Sequence, residues 1–237
     1  NPTNQVVDIA AAVAEVHALG GAERPVVAVD NTFLGPLWQR PIDNGADIVC
    51  YSLTKYVGGH SDLMMGSASA GEPWHARLRL TAQSLGNVVS PDDASLALRG
   101  LRTMGVRLAQ STASALEIAR WLETRPEVAR VLCPMLPGAP GHDLWARDFT
   151  GGCGLFSVIL AGGGPDRRAA FIDALDLFGI GYSWGGFESL ALPVQPEKYR
   201  SAVAWKKDGT LIRLQIGLED TDDLIADLAN AFIAAST

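Results

Sequence analysis

A lysine at the end of a buried strand can become a nucleophile, and this chain has one in that position. Residues 47–53 form an apolar run that reads as a short strand leading into Lys55, and Gly58 and Gly59 turn the chain soon after it. An amine that loses water there loses pKa and can attack a carbonyl to form a Schiff base. A strand-end lysine whose ammonium snorkels to solvent fits the same pattern. A second candidate closes residues 25–32, an apolar, β-rich run ending in Asp30. Such a run suits a parallel strand, and ligands of open α/β sheets collect at the carboxyl ends of the strands. An aspartate there can keep a pyridinium nitrogen protonated and so make its ring an electron sink. Strand-ending aspartates also cap helices and turns. Asp30 and Lys55 on adjacent strand-like runs say more together than either does alone.

Three further positions carry possible chemistry. Arg213 lies inside the apolar run 211–216, between Ile212 and Leu214. A guanidinium in a core strand needs an anion, and its planar fork suits a carboxylate. That carboxylate could belong to a ligand or to an internal Asp or Glu. Ser52 and Thr54 alternate with Leu53, which puts two hydroxyls on one face beside Lys55. They could donate to a phosphate, although small polar residues also alternate at strand ends without function. In Tyr182-Ser183-Trp184-Gly185-Gly186, the two glycines indicate backbone passing close to something, or a tight turn beside a core Trp.

The elements that must position these residues read as follows. A helical pattern runs from Val6 to Leu19 and stops at Gly20-Gly21. The strand to Asp30 comes next, then a loop over 32–39, the strand into Lys55 and a small-residue strand over 66–70. Residues 73–85 read as a helix. Ser90-Pro91-Asp92-Asp93 is a strong helix start, and the helix should run to about Thr124 with a break near Gly100 or Gly105. Strands follow at 128–133, 155–160, 190–194 and 211–216, with helices at 166–178 and 220–235. Gly162-Gly163-Gly164-Pro165 reads as a turn without the spacing of a dinucleotide site. The first part has the α/β alternation and the second an α+β grammar, with the boundary near residue 100.

Composition narrows the class. The chain has 237 residues, 48% hydrophobic and 19% charged, which suits a globular protein of one large or two small domains. A net charge of −7 does not suggest nucleic acid or an anionic membrane as partner. No apolar stretch reaches the roughly 20 residues of a membrane span. Cys50, Cys133 and Cys153 are scattered in apolar surroundings and read as reduced core residues of a cytosolic protein. The histidines lack metal-ligand spacing, so no metal is expected.

Asp30-Asn31-Thr32, Ser52-Leu53-Thr54-Lys55-Tyr56 and Gly59-His60-Ser61-Asp62 together resemble the pyridoxal phosphate (PLP)-dependent Cys/Met-metabolism, or trans-sulfuration, enzymes. The likeness extends in order over nearly the whole chain, from Asn1-Pro2 through residues 181–190 and 211–219. Residues 99–103, those around Gly141-His142 and Arg147-Asp148, and Ser183-Trp184-Gly185-Gly186 most resemble the cystathionine β-lyase branch.

The resemblance implies an α/β, PLP-dependent transferase-like fold of the aspartate aminotransferase type. Residues 1–100 would be the remainder of the large cofactor-binding domain with a mostly parallel sheet, and 101–237 an α+β small domain. It implies pyridoxal 5'-phosphate on Lys55, with Asp30 at the pyridine nitrogen, Ser52 and Thr54 at the phosphate and Asn1 near the phenolic oxygen. Arg213 would hold the substrate α-carboxylate, with Ser183 and Trp184 lining the pocket, while His60 and Asp62 shape the turn. The activity implied is β-elimination of cystathionine to homocysteine, pyruvate and ammonia. Cystathionine γ-synthase, methionine γ-lyase and O-acylhomoserine sulfhydrylase share the apparatus. Family members are cytoplasmic tetramers, dimers of dimers, that act on small amino acids. They carry a long segment before the point matching Asn1, so this chain is expected to be the carboxyl-terminal part of a longer enzyme. A catalytically inactive fragment or assembly module is the expectation from another class.

Overall fold

The computed structural model describes residues 3–21, 24–205 and 210–236, with the side chains of residues 35 and 36 outside the description. The chain divides into two compact units. One comprises Val7–Val106 and Arg147–Gly152, the other Asn1–Val6, Arg107–Ala146 and Cys153–Thr237.

The first unit begins with α1 (Ile9–Ala18). Its start is later than the apolar periodicity from Val6 suggests, because Asp8 accepts a hydrogen bond from the Ala11 amide at 3.0 Å and caps the helix there. Ile9 and Val13 bury against Ala46, with Val27 and Val29 packed alongside. Strand β1 (Ala28–Asp30) follows. Residues 32–39, expected to be a loop, contain the one-turn helix α2 (Gly35–Trp38), whose early proline lacks only an amide that a first turn leaves unpaired anyway. Strand β2 (Ile48–Ser52) pairs in parallel with β1, Asp30 opposite Cys50. Asp47 sets that register. Its buried carboxylate accepts from Arg24 at 2.7 and 2.9 Å and from the Val27 amide at 2.9 Å, tying the entrance of β1 to that of β2.

Strand β3 (Gly66–Ala70) pairs antiparallel with β2, so the sheet β1-β2-β3 is mixed. The connection over residues 53–65 contains no crossover helix, which a parallel return would need. Helix α3 (Trp74–Leu85) is followed by α4 (Pro91–Glu123), with the Ser90 hydroxyl accepting from the Asp93 amide at 3.0 Å. The expected break near Gly100 or Gly105 does not occur, since α4 is continuous through both. Gly100 is there to admit a neighbour: a Cβ on it would lie 2.2 Å from the Val57 carbonyl oxygen and 2.5 Å from that of Gly58.

Along the rest of the chain, which belongs to the second unit except for residues 147–152, β4 (Val128–Leu132), α5 (His142–Asp148), β5 (Leu155–Leu160), α6 (Gly164–Asp173), β6 (Gly179–Ile180), β7 (Leu190–Val194), β8 (Thr210–Gln215) and α7 (Thr221–Ala234) follow in turn. The sheet order is β4-β5-β8-β7-β6, antiparallel except for the β6–β7 pair. One face carries Phe156, Val158, Ile212, Leu214 and Ile216 into a core with Ile118 and Leu122 of α4, Phe171 of α6 and Leu228 and Phe232 of α7. The opposite face holds the smaller cluster of Leu132, Ile159 and Leu211. Strand β8 is central, and alternation places Arg213 on this second face, in register with Ser157 of β5 and Leu192 of β7. Among the described residues, no helix is long and apolar enough to cross a membrane, and no group of three or more His, Cys, Asp or Glu could hold a metal ion.

Candidate active site

Asp30 and Ser52 stand at the carboxyl ends of the two parallel strands, β1 and β2. Thr32 links them. The Ser52 amide donates to the Thr32 hydroxyl at 2.9 Å, and that hydroxyl donates in turn to Asp30 Oδ1. The Thr32 amide also donates to Oδ1, at 2.9 Å, closing a local turn. Among the described residues both donors to Asp30 come from Thr32 and both reach Oδ1. Oδ2 of this exposed carboxylate is therefore left for a further donor. Thr32 is itself buried and was not singled out in the sequence, although its place two residues after an aspartate is the signal of such a turn.

After Ser52 the strand ends and the chain turns tightly. The Lys55 amide donates to the Ser52 carbonyl at 3.2 Å, the Gly58 amide to Leu53 at 2.7 Å and the Gly59 amide to Lys55 at 2.8 Å. Gly59 has φ +71°, a conformation in which glycine avoids the Cβ clash. Strand alternation therefore does not extend to Thr54, and the expected shared face of Ser52 and Thr54 is replaced by a turn. Thr54 is stapled to Met65, donating its amide to the Met65 carbonyl at 3.2 Å and accepting the Met65 amide on its hydroxyl at 3.0 Å. The same hydroxyl donates to the Met65 carbonyl at 3.3 Å, a long bond that an anion would displace at little cost. Tyr56 and Val57, which follow the half-buried Lys55, are buried and anchor the chain after it.

In the second unit, Arg213 Nη2 donates to three successive carbonyls: Gly181 at 3.2 Å, Tyr182 at 2.9 Å and Ser183 at 3.1 Å. Backbone oxygens of the β6–β7 connection thus aim this guanidinium, a partner class that sequence reasoning did not consider. Ser183 is exposed and Trp184 half-buried on the same connection, and Gly185 has φ +86°. The structure therefore gathers Asp30, Ser52, Thr54 and Lys55 within one unit, and Arg213, Ser183 and Trp184 within the other. Asn1, like Lys206 and Lys207 in the polar stretch before Thr210, lies outside the described residues.

Residues 1–233 match the Cys/Met metabolism PLP-dependent enzyme family. The chain belongs to that family. It is 44% identical over 235 residues to the cystathionine beta-lyase of Escherichia coli K12, covering 97% of this chain and 59% of that protein. It is 42% identical over 241 residues to the human cystathionine gamma-lyase, covering 99% of this chain and 58% of that one. The crystal structure of a cystathionine gamma synthase from Xanthomonas oryzae pv. oryzae, in complex with aminoacrylate and cysteine, superposes with a TM-score of 0.88. It is 36% identical and covers 100% of this chain and 61% of that chain. The chain thus spans about three-fifths of the length of the relatives it matches. These likenesses establish the α/β fold of the PLP-dependent transferases and pyridoxal 5'-phosphate as the family's cofactor, while the relatives include β-lyases, γ-lyases and γ-synthases. The residues present suit that cofactor: Asp30 Oδ2 is open to a ring N–H, and Lys55 supplies an amine one turn beyond the strand that pairs with β1.

Proposed function

We propose that the protein works as a PLP-dependent carbon–sulfur lyase that cleaves cystathionine by β-elimination, with water hydrolysing the remaining three-carbon fragment, giving homocysteine, pyruvate and ammonia. The observation that carries this reading is the Asp30–Thr32–Ser52 chain of hydrogen bonds beside Lys55, joined in sequence by Arg213 and its Ser183-Trp184 loop. Bound pyridoxal phosphate supplies the electron sink. Lys55 anchors it, then removes the Cα proton as general base and returns a proton to the leaving sulfur. Asp30 would keep the ring nitrogen protonated, and Thr32 holds that carboxylate in place through Oδ1. Ser52 and Thr54 would donate their hydroxyls to the phosphate, and Asn1 would serve the cofactor's phenolic oxygen. Arg213 takes the substrate carboxylate, with Nη2 already oriented by the 181–183 carbonyls. Ser183 and Trp184 line the substrate side of that loop.

In this reading residues 1–100 are the remainder of the cofactor domain and 101–237 the small domain of a cytoplasmic homotetramer. The test is to incubate the full-length enzyme with cystathionine and identify the products by mass spectrometry. Homocysteine and pyruvate are expected. Cysteine with 2-oxobutyrate would replace the β-lyase reading with γ-elimination, and absence of bound cofactor would leave an assembly module.

A further inference from the structure

The connection over residues 181–189 is gripped at both ends by one strand and its exit. Arg213 of β8 holds the carbonyls at the start. Residues just beyond β8 hold the end. The Leu218 amide donates to the Phe187 carbonyl at 2.9 Å. Glu219 accepts the Ser189 amide on Oε1 at 2.7 Å and the Ser189 hydroxyl on Oε2 at 2.8 Å. That hydroxyl accepts the Gly217 amide at 2.9 Å, and the Ser189 carbonyl accepts the Gly179 amide at 3.0 Å. Ser189 is completely buried. Gly217 has no room for a side chain, since a Cβ would lie 2.1 Å from the Phe187 oxygen and 2.5 Å from Glu219 Oε2. Glu219 adjoins the start of α7, yet it does not cap that helix. Asp220 does so, accepting from the Asp222 and Asp223 amides. Both Glu219 oxygens are turned instead to one serine of the connection. A bidentate, charge-assisted clamp of this kind is among the stronger hydrogen-bond arrangements a protein makes.

We infer that Glu219 is a positioning residue for substrate binding: through Ser189 it fixes the Ser183-Trp184 loop, and through the loop carbonyls the aim of Arg213. The inference rests on the proposed role of Arg213 as carboxylate anchor. The two are separable by experiment, because the clamp can be measured without substrate. In the full-length holoenzyme, Glu219→Ala should raise amide hydrogen-exchange rates over residues 183–189 by tenfold or more. KM for cystathionine should rise about tenfold with a smaller change in kcat, while borohydride labelling of Lys55 and the visible absorbance of bound cofactor stay as in wild type. Glu219→Gln retains one acceptor for the Ser189 amide and should fall between. Ser189→Ala deletes only the hydroxyl bridge and should reproduce the direction of both effects, including where Glu219→Ala does not fold. Wild-type exchange and KM in Glu219→Ala, or in Ser189→Ala if the former is insoluble, would overturn the inference. So would a fall in kcat with altered cofactor absorbance and unchanged KM. If loop exchange rises as expected but Arg213→Ala leaves KM unchanged, the clamp stands and the anchor reading of Arg213 fails.

Discussion

Replacing Gly100 by alanine sets two opposing effects against each other in the helix behind Lys55. In an exposed helix, glycine to alanine would stabilise by about 0.8–1.0 kcal/mol. Here the new Cβ would lie 2.2 Å from the Val57 oxygen, 2.5 Å from the Gly58 oxygen and 3.0 Å from the Gly58 carbon. Ordinary contact needs about 3.5–4.0 Å, so α4 and the turn must separate by more than about 1 Å. The obstacle is backbone, which cannot swing aside as a side chain can. Overpacking of that sort costs about 1–3 kcal/mol. The turn also contains the Gly58–Leu53 and Gly59–Lys55 hydrogen bonds, each contributing about 0.5–1.5 kcal/mol net, so the upper part of the range applies. The net expectation is a loss of about 1–2 kcal/mol in urea unfolding of the full-length enzyme, together with slower borohydride labelling of the displaced Lys55. Gly105 in the same helix is the control. Its Cβ would meet only Leu37 Cδ1 at 3.8 Å, so Gly105→Ala should be neutral or stabilising by up to about 1 kcal/mol. A Gly100→Ala enzyme as stable as Gly105→Ala, with normal Lys55 labelling, would show that the close approach at Gly100 has no bearing on the lysine.

Other substitutions test the remaining groups. Arg213→Ala should lower kcat/KM for cystathionine by roughly 10²-fold, about 2.7 kcal/mol, with Arg213→Lys recovering only part because a point charge cannot reproduce the fork. The same variant releases the 181–183 carbonyls and should lose about 1.5–3 kcal/mol of stability; a much larger loss with unchanged kinetics would make Arg213 a structural ion instead. Asp30→Asn keeps an acceptor for Thr32 and so should melt near wild type, while turnover falls by orders of magnitude; near-normal turnover refutes the ring-nitrogen role. The Arg24 hydrogen bonds hold the Asp47 carboxyl well below the usual carboxylate range. Its contribution to stability is therefore present above the unfolded value of about 3.9 and is lost as pH falls below it. Asp47→Asn should accordingly destabilise most near neutral pH, with urea midpoints of the two proteins converging on acidification; a constant gap would show that the charge is not the source.

Residue type pointed to the family and its cofactor far more readily than to what holds the candidate groups in place. Apolar runs and breakers located β3 and the start of α4, and they put Asp30 and the strand before Lys55 side by side, because those signals are local. Gly100 looked like a helix break because one glycine can mean either a weak point or a close approach. Only the Val57 and Gly58 carbonyls, some forty residues earlier, decide between them. Arg213 pointed toward an anion, and its Nη2 also donates to three carbonyl oxygens, which every residue carries and no letter reveals. Thr54 was placed on a strand face that the turn at Ser52 removes. Thr32 and Glu219 were in plain view inside motif stretches, but their work is done on a backbone amide as much as on a side chain. A reacting group is constrained in kind, since few side chains can hold a Schiff base or a carboxylate. Its supports are constrained only in geometry, and the main chain supplies most of them. Variants at the reacting groups should therefore be read in turnover, and variants at Thr32, Gly100 and Glu219 in the position of the groups they hold.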